Sequence, residues 1–304
     1  MKKENLPSLS EVVIAAISYF IKNRPPKLGP KGFSFPMIIG SGNAYNAGQI
    51  IFGSQKALFA NESNFKEITK NYHDLISQKI ISDAVVISAS GEKDSIWEVK
   101  LAKKLGLKTS LFTCSPQSSA AKLADHVYEY HKLPEPYTYN TSTYLGMILS
   151  ATMEDPKVIL KHLKSIKLPN RFRRYDSYAF VLPNKFAALA PMLEIKHNEL
   201  FGPKLSLRAF SEGEARHAKF VIRDERELVI SFGENLYFGH KKHRWEIELP
   251  KGANHGLMMA LTYFIIGKIQ EGKPAWFEKN IYNFCNDYGF PPYGSNKPFD
   301  VIVK

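Results

Sequence analysis

The chain has 304 residues, 44% of them hydrophobic and 23% charged, an ordinary balance for a globular protein with a sizeable core; length alone predicts two units of about 150 residues. Its formal net charge is +12, with Lys and Arg spread along the chain, the tightest clusters being 171–174 and 240–244. Its cysteines, Cys114 and Cys285, lie far apart, which excludes a disulfide framework and a cysteine-based zinc site and suits a reducing, cytoplasmic setting. No RNA-binding aromatic signature or zinc-finger spacing accompanies the charge, so nucleic acid is not the expected partner; a positive field also suits small anionic substrates.

The first residues, Met1-Lys2-Lys3-Glu4-Asn5, are basic, but no long apolar run follows, which predicts no secretion signal. Residues 9–21 read as an amphipathic helix, closed by Pro25-Pro26. A short buried strand at 37–39 then leads into a Gly-rich turn and a helix reaching about residue 58. A helix at 65–76, a strand at 84–87, a helix at 95–105, a strand at 109–113, a helix at 118–123, a strand at 126–130 and a helix at 142–153 follow. Strands alternating with helices of this length predict an α/β fold with a doubly wound parallel sheet.

Residues 154–175 are charged and punctuated by proline, and read as a connector with one short helix. A weaker alternation follows: a strand at 178–182, a helix at 185–200, strands at 221–222, 228–232 and 245–249, and a helix at 256–269. The run 257–266 is too short to cross a bilayer, so no membrane span is expected. The tail from 283 is aromatic and rich in Pro and Gly, ending in apolar alternation at 301–303. The two halves repeat in pattern but not in identity. Two tandem sheets flanked by helices are therefore expected, with an N-terminal helical extension (1–30), a first unit (31–153), a connector (154–176) and a second, degenerate unit (177–304).

Two turns stand out. Val85-Val86-Ile87-Ser88-Ala89-Ser90-Gly91-Glu92-Lys93-Asp94-Ser95 is a β-branched run that ends in hydroxyls and a glycine just before a helix. Free N–H groups, the positive end of the helix dipole and serine donors all suit an anion there. Ser41-Gly42-Asn43-Ala44-Tyr45-Asn46 repeats the strand-to-glycine-to-helix pattern after the first strand. A third turn, 137–143, carries hydroxyls before a long helix; Ser142 is either a ligand donor or a cap.

The first two turns resemble the phosphate loops of the sugar isomerase (SIS) domain family. The resemblance extends to Ala209-Phe210-Ser211-Glu212-Gly213-Glu214-Ala215-Arg216-His217-Ala218, which is similar to a segment in the isomerase half of glucosamine-6-phosphate synthase. It implies a phosphosugar substrate held by Ser41, Gly42, Asn43, Ser88, Ser90, Gly91, Lys93, Ser95, Ser142 and Lys196, with no metal or other cofactor. It further implies His217 as the ring-opening residue and, from the Lys-x-x-Glu pattern on the 185–200 helix, Glu199 as the proton-relaying base beside Lys196. A lysine near the C-terminus, Lys297, would bond the open-chain ketose, and a homodimer would complete the site. The activity implied is aldose–ketose isomerisation or amino-sugar-phosphate deamination.

Alternatives stay open. His197-Asn198-Glu199 also resembles a segment of bifunctional phosphoglucose/phosphomannose isomerases, which makes His197 the rival ring opener. Ala44 and Ala89 stand where the family has serine and glutamine, which suits a module that senses phosphosugars without turnover.

Overall fold

The computed structural model describes residues 6–28, 32–218, 224–273, 276–286 and 300–304. Helix α1 (Leu9–Lys22) begins at a capping box in which Ser8 and Glu11 satisfy each other's backbone N–H groups. Strand β1 (Met37–Gly40) and helix α2 (Asn43–Phe52) follow. Then come β2 (Leu58–Ala60), α3 (Phe65–Asn71), α4 (His73–Ser77), β3 (Asp83–Ile87), α5 (Asp94–Lys104), β4 (Lys108–Thr113) and β5 (His126–Glu129). These strands form a five-stranded sheet in the order β2-β1-β3-β4-β5. Every pairing in it is parallel. β1, β3 and most of β4 are buried, as expected of apolar runs covered on both faces.

A two-residue strand, β6 (Glu135–Pro136), precedes α6 (Thr141–Thr152) and α7 (Pro156–Ser165). The second half contains β7 (Ser177–Leu182), α8 (Ala190–Phe201), β8 (Ser206–Ser211), α9 (Glu212–His217), β9 (Glu227–Ser231) and β10 (Arg244–Glu246). Their order, β10-β9-β7-β8, is again parallel throughout. Helix α10 (His255–Gln270), apolar on nearly every side, runs through the interior, and α11 (Trp276–Asn286) follows. Finally β11 (Ile302–Val303) pairs antiparallel with β6.

The two sheets are not separately cored bodies. One apolar cluster runs from Leu9 and Phe20 on α1 through Phe52 and Phe112 to Phe180, Leu193 and Ile266. Helix α1 packs on α10 as well as on α6 and α7, so the first helix is built into both halves. Among the described residues, no helix is long and apolar enough to cross a membrane.

Several elements differ from the sequence expectation for local reasons. Helix α2 stops at Phe52, before Gly53, and residues 58–60 form an edge strand on β1. Residues 118–123 are turns rather than a helix; six residues are too few to offset helix nucleation without packing. The 185–200 segment divides into a 3-10 turn (Asn184–Leu189) and α8, because Pro191 sits in the first turn, where its missing N–H costs nothing. Strand β8 and helix α11 were not foreseen. The strand expected at 221–222 lies outside the described residues.

Candidate functional site

In a doubly wound sheet ordered 2-1-3-4-5, the crevice opens where the chain direction reverses, at the carboxyl ends of strands 1 and 3. Here those ends lead into α2 and α5. Both helices begin at a residue with φ 55° and ψ −122°: Gly42 for α2 and Lys93 for α5. Glycine adopts such a conformation freely; at Lys93 the backbone is strained. Neither helix start is capped by a side chain, and the positive dipole ends of both helices converge on the same space.

That space is a cavity of about 910 Å³, the size of a small-ligand site. Ser41, Gly42, Asn43, Ser88, Ser90, Lys93 and Ser95 line it, and Glu199 enters from α8. Ser88 accepts from the Gly91 N–H (3.1 Å) and Ser90 from the Glu92 N–H (3.4 Å), which leaves both O–H groups to donate. Ser95 instead donates its O–H to the Glu92 carbonyl at 2.8 Å, so toward a ligand it acts as an acceptor. Lys93 Nζ donates to the Tyr137 hydroxyl at 3.4 Å, and burial holds its ammonium below the usual lysine range against the pull of Asp94.

Other candidates lie elsewhere. Gly91 does not line the cavity. It turns the chain at φ +62°, where a Cβ would sit 1.9 Å from Ser118 Oγ. Ser142 also faces inward: its hydroxyl donates to Glu135 Oε1 at 2.7 Å, and Glu135 also accepts the Thr141 (2.8 Å) and Ser142 (3.1 Å) N–H groups. A buried carboxylate thus caps α6, and Ser142 belongs to that cap, the alternative its position allowed. His197 Nε2 lies 2.6 Å from the Leu205 carbonyl oxygen, and the residue does not line the cavity. His217 is exposed at the end of α9, also outside the cavity. Lys297 lies outside the described residues.

Lys196, expected to touch the substrate, does not line the cavity and is instead fully buried behind Glu199. Its ammonium donates to the Glu199 carboxylate and to the Thr138 carbonyl. Burial pushes the Glu199 carboxyl up, while the Lys196 charge pulls it back. A buried carboxyl whose desolvation is countered by one fixed cation is suited to taking and returning a proton.

The cavity also gathers residues that sequence reasoning passed over. Lys132, Tyr144, Ile195 and Glu98 line it, as do Trp276, Asn280, Asn283 and Phe284 from α11 and Val303 from β11. Tyr137 and Asn140 fall within the hydroxyl-rich turn already singled out.

No family model matches the chain, and no curated protein matches it in sequence. Its fold is shared. The C-terminal domain of glucosamine-fructose-6-phosphate aminotransferase from Francisella tularensis superposes with a TM-score of 0.62 at 14% identity, over 90% of this chain and 98% of that one. Glucosamine-6-phosphate deaminase from Thermotoga maritima gives 0.56 at 15% identity, over 86% and 91%. Tagatose-6-phosphate ketose/aldose isomerase from Escherichia coli gives 0.53 at 13%, over 86% and 90%. The chain has the α/β architecture of these phosphosugar enzymes, with parallel sheets flanked by helices.

Proposed function

We propose that this chain binds a hexose or hexosamine 6-phosphate and moves a proton between C1 and C2 of the open-chain sugar. The observation that carries this reading is the convergence of two uncapped helix starts and an ion-paired carboxylate on one cavity. The structural neighbours, a glucosamine-6-phosphate deaminase, a glucosamine-fructose-6-phosphate aminotransferase domain and a tagatose-6-phosphate ketose/aldose isomerase, point to the same substrate class. Ser88, Ser90, Lys93 and the α5 start hold the phosphate; Ser41, Gly42 and Asn43 lie along the sugar.

The chemistry follows from these positions. Glu199 takes the C2 proton of an aldose; the C–H electron pair forms the C1=C2 bond of an enediol as the O1 oxygen takes a proton from solvent. Return of the proton from Glu199 to C1, as the O2 hydroxyl gives its proton back to solvent, yields the ketose. With an amine at C2 the same shift yields an imine, and water then releases ammonia. Lys196 positions Glu199 and favours its ionised form before the C2 proton is taken.

Within this reading the two sheets are a tandem pair of SIS units divided near 154–176, since β10-β9-β7-β8 repeats the order of β1 to β4. The protein acts as a cytoplasmic homodimer. His217, exposed on its own copy, serves the ring-opening step in the cavity of a second one, and Lys297 reaches the open-chain ketose.

A thermal-shift screen of phosphosugars, followed by solvent-deuterium exchange at C2, tests the proposal. Stabilisation by fructose 6-phosphate or glucosamine 6-phosphate with exchange that Glu199→Gln abolishes is the expected outcome. Loss of exchange in His197→Ala but not in Glu199→Gln would favour the phosphoglucose/phosphomannose alignment. Binding with no exchange in the wild type would establish the second reading, a sensing module. That reading is favoured by Ala44 and Ala89, which leave bare methyl groups on the cavity wall.

A further inference from the structure

One cavity group takes no part in the reaction just described. Glu98, one turn into α5, is 1% exposed and yet lines the cavity. Its Oε1 has no hydrogen-bond partner, and neither has Oδ1 of Asn43 at the start of α2, itself 8% exposed. Asp94, on the preceding turn, and Glu62, in the connection from β2 to α3, both act on Glu98 with like charge, while the Ser41 hydroxyl acts in the opposite sense. Among the described residues, these carboxyls do not converge as metal ligands.

The charge around the cavity sharpens the problem. Lys93 and Lys132 line it together with Glu92, Asp94, Glu98 and Glu199, the last paired with the buried Lys196, so that four carboxyls stand against three ammonium groups. Burial lowers both lysines. A phosphate dianion entering this set with every carboxyl ionised would meet net repulsion in a medium less polar than water. A buried carboxylate with like charges beside it and the Ser41 hydroxyl alone to offset them relieves its desolvation by taking a proton. Burial, followed by Asp94 and Glu62, pushes Glu98 up to about 8. A neutral Glu98 removes one negative charge from the wall and supplies an O–H donor where the structure shows an unmatched oxygen. The Asn43 acceptor is left for a sugar hydroxyl.

We propose that Glu98 is a specificity-determining acid: it meets the phosphosugar as the carboxylic acid, donates its O–H to a ligand oxygen, and weakens binding when it ionises. The inference rests on the phosphosugar reading above. One proton moves and no electrons: solvent supplies it to Glu98 as the ligand binds at alkaline pH and recovers it as the ligand leaves.

The test is calorimetric titration of the full chain with fructose 6-phosphate between pH 7 and pH 9, wild type against Glu98→Gln. A group titrating at about 8 loses its neutral form by about tenfold over that span. Wild-type affinity should fall by about that factor beyond any fall in Glu98→Gln. The variant's amide stays neutral, while Lys93, Lys132, Tyr137 and the phosphate titrate alike in both proteins. Parallel profiles overturn the proposal. Should Glu98→Gln not fold, infrared difference spectra of the wild type at pH 9 decide: a carboxylic-acid band that grows on adding fructose 6-phosphate supports it, and an unchanged carboxyl region overturns it. Failure of both fructose 6-phosphate and glucosamine 6-phosphate to bind the wild type at pH 7 removes the phosphosugar reading and this inference together.

Discussion

The carboxylate of Glu199 accepts a hydrogen bond from Lys196, three residues earlier on α8, and the same ammonium donates to the Thr138 carbonyl beside α6. A single buried cation thus ties the helix that presents the proposed base to the turn that borders the cavity. The Tyr263 ring on α10 lies 5.7 Å from the same Nζ, adding a cation–π contact.

Lys196→Met should impair catalysis more than binding. Without the ammonium, Glu199 loses the interaction that offsets its burial, so its carboxyl rises further. The base works ionised, so turnover climbs as pH rises through the Glu199 value; in the variant that limb moves to higher pH. Each unit of movement lowers turnover at a fixed pH on the limb about tenfold. Breaking a buried pair also costs about 3–5 kcal/mol of stability. The pH profile of C2 exchange, with fructose 6-phosphate affinity measured alongside, separates the two effects; an unmoved acid limb would contradict the role given to Lys196.

Lys93 sets local strain against charge. Its φ of 55° matches that of Gly42, but it carries a side chain. Replacement by glycine relieves a strain of roughly 1–3 kcal/mol, so Lys93→Gly should melt at a higher temperature than the wild type. The same change removes an ammonium from the cavity and should weaken fructose 6-phosphate binding by about tenfold to a hundredfold, the worth of a charged hydrogen bond. A variant that is both less stable and equally good at binding would refute this account.

Glu98 should leave a mark on stability without any ligand. Its folded value of about 8 lies above the ordinary glutamate range, so between the two the folded state holds more protons than the unfolded one. Stability is therefore full below the unfolded value and is lost as pH rises through the folded one, at up to about 1.4 kcal/mol per unit. Chemical denaturation at pH 5 and pH 8 should show the wild type losing stability relative to Glu98→Gln, with the loss levelling off above about pH 9.

If His217 serves a neighbouring copy, two inactive variants should rescue each other. Mixing Glu199→Ala with His217→Ala, followed by dissociation and reassociation, yields mixed dimers with one intact site. Closed two-fold pairing predicts recovery of about a quarter of wild-type turnover. Sedimentation velocity should show a dimer before and after mixing. No recovery from a confirmed mixed dimer would return His217 to its own copy or remove it from the reaction.

Much of the cavity could be read from local sequence because its pieces are local. The apolar run 85–87 feeding Ser88, Ser90 and Gly91 specifies a strand, a tight turn and a helix start within eleven residues. Gly42 marks the companion turn for the same reason. Ser142 was ambiguous because the group that claims its hydroxyl, Glu135, sits on a separate short strand. Glu98 escaped notice because a polar residue in an amphipathic helix ordinarily faces water, and only the docking of α5 beside the α2 turn buries it. The place of His217 depends on how α9 lies on β7 and β8, a tertiary matter that no motif encodes. Helix α11 was obscured by its aromatic, Asn-rich composition, yet Phe277, Ile281 and Cys285 make one buried stripe.

The continuous core has a dynamic consequence. Two sheets that shared only a cleft could open about it as rigid halves, but here Leu9, Phe112, Phe180 and Ile266 belong to one apolar cluster. Parting the halves would expose that interior to water at roughly 25 cal/mol for each Å². Any opening of the cavity therefore falls to its rim. Helix α11 lies on α8 with Phe277, Ile281 and Cys285 in the same cluster, whereas the β6–β11 pair has only two residues on each side. Both contribute to the cavity wall, through Trp276, Phe284 and Val303. The molecule is thus anchored through one common core and least anchored at the β6–β11 rim of its cavity.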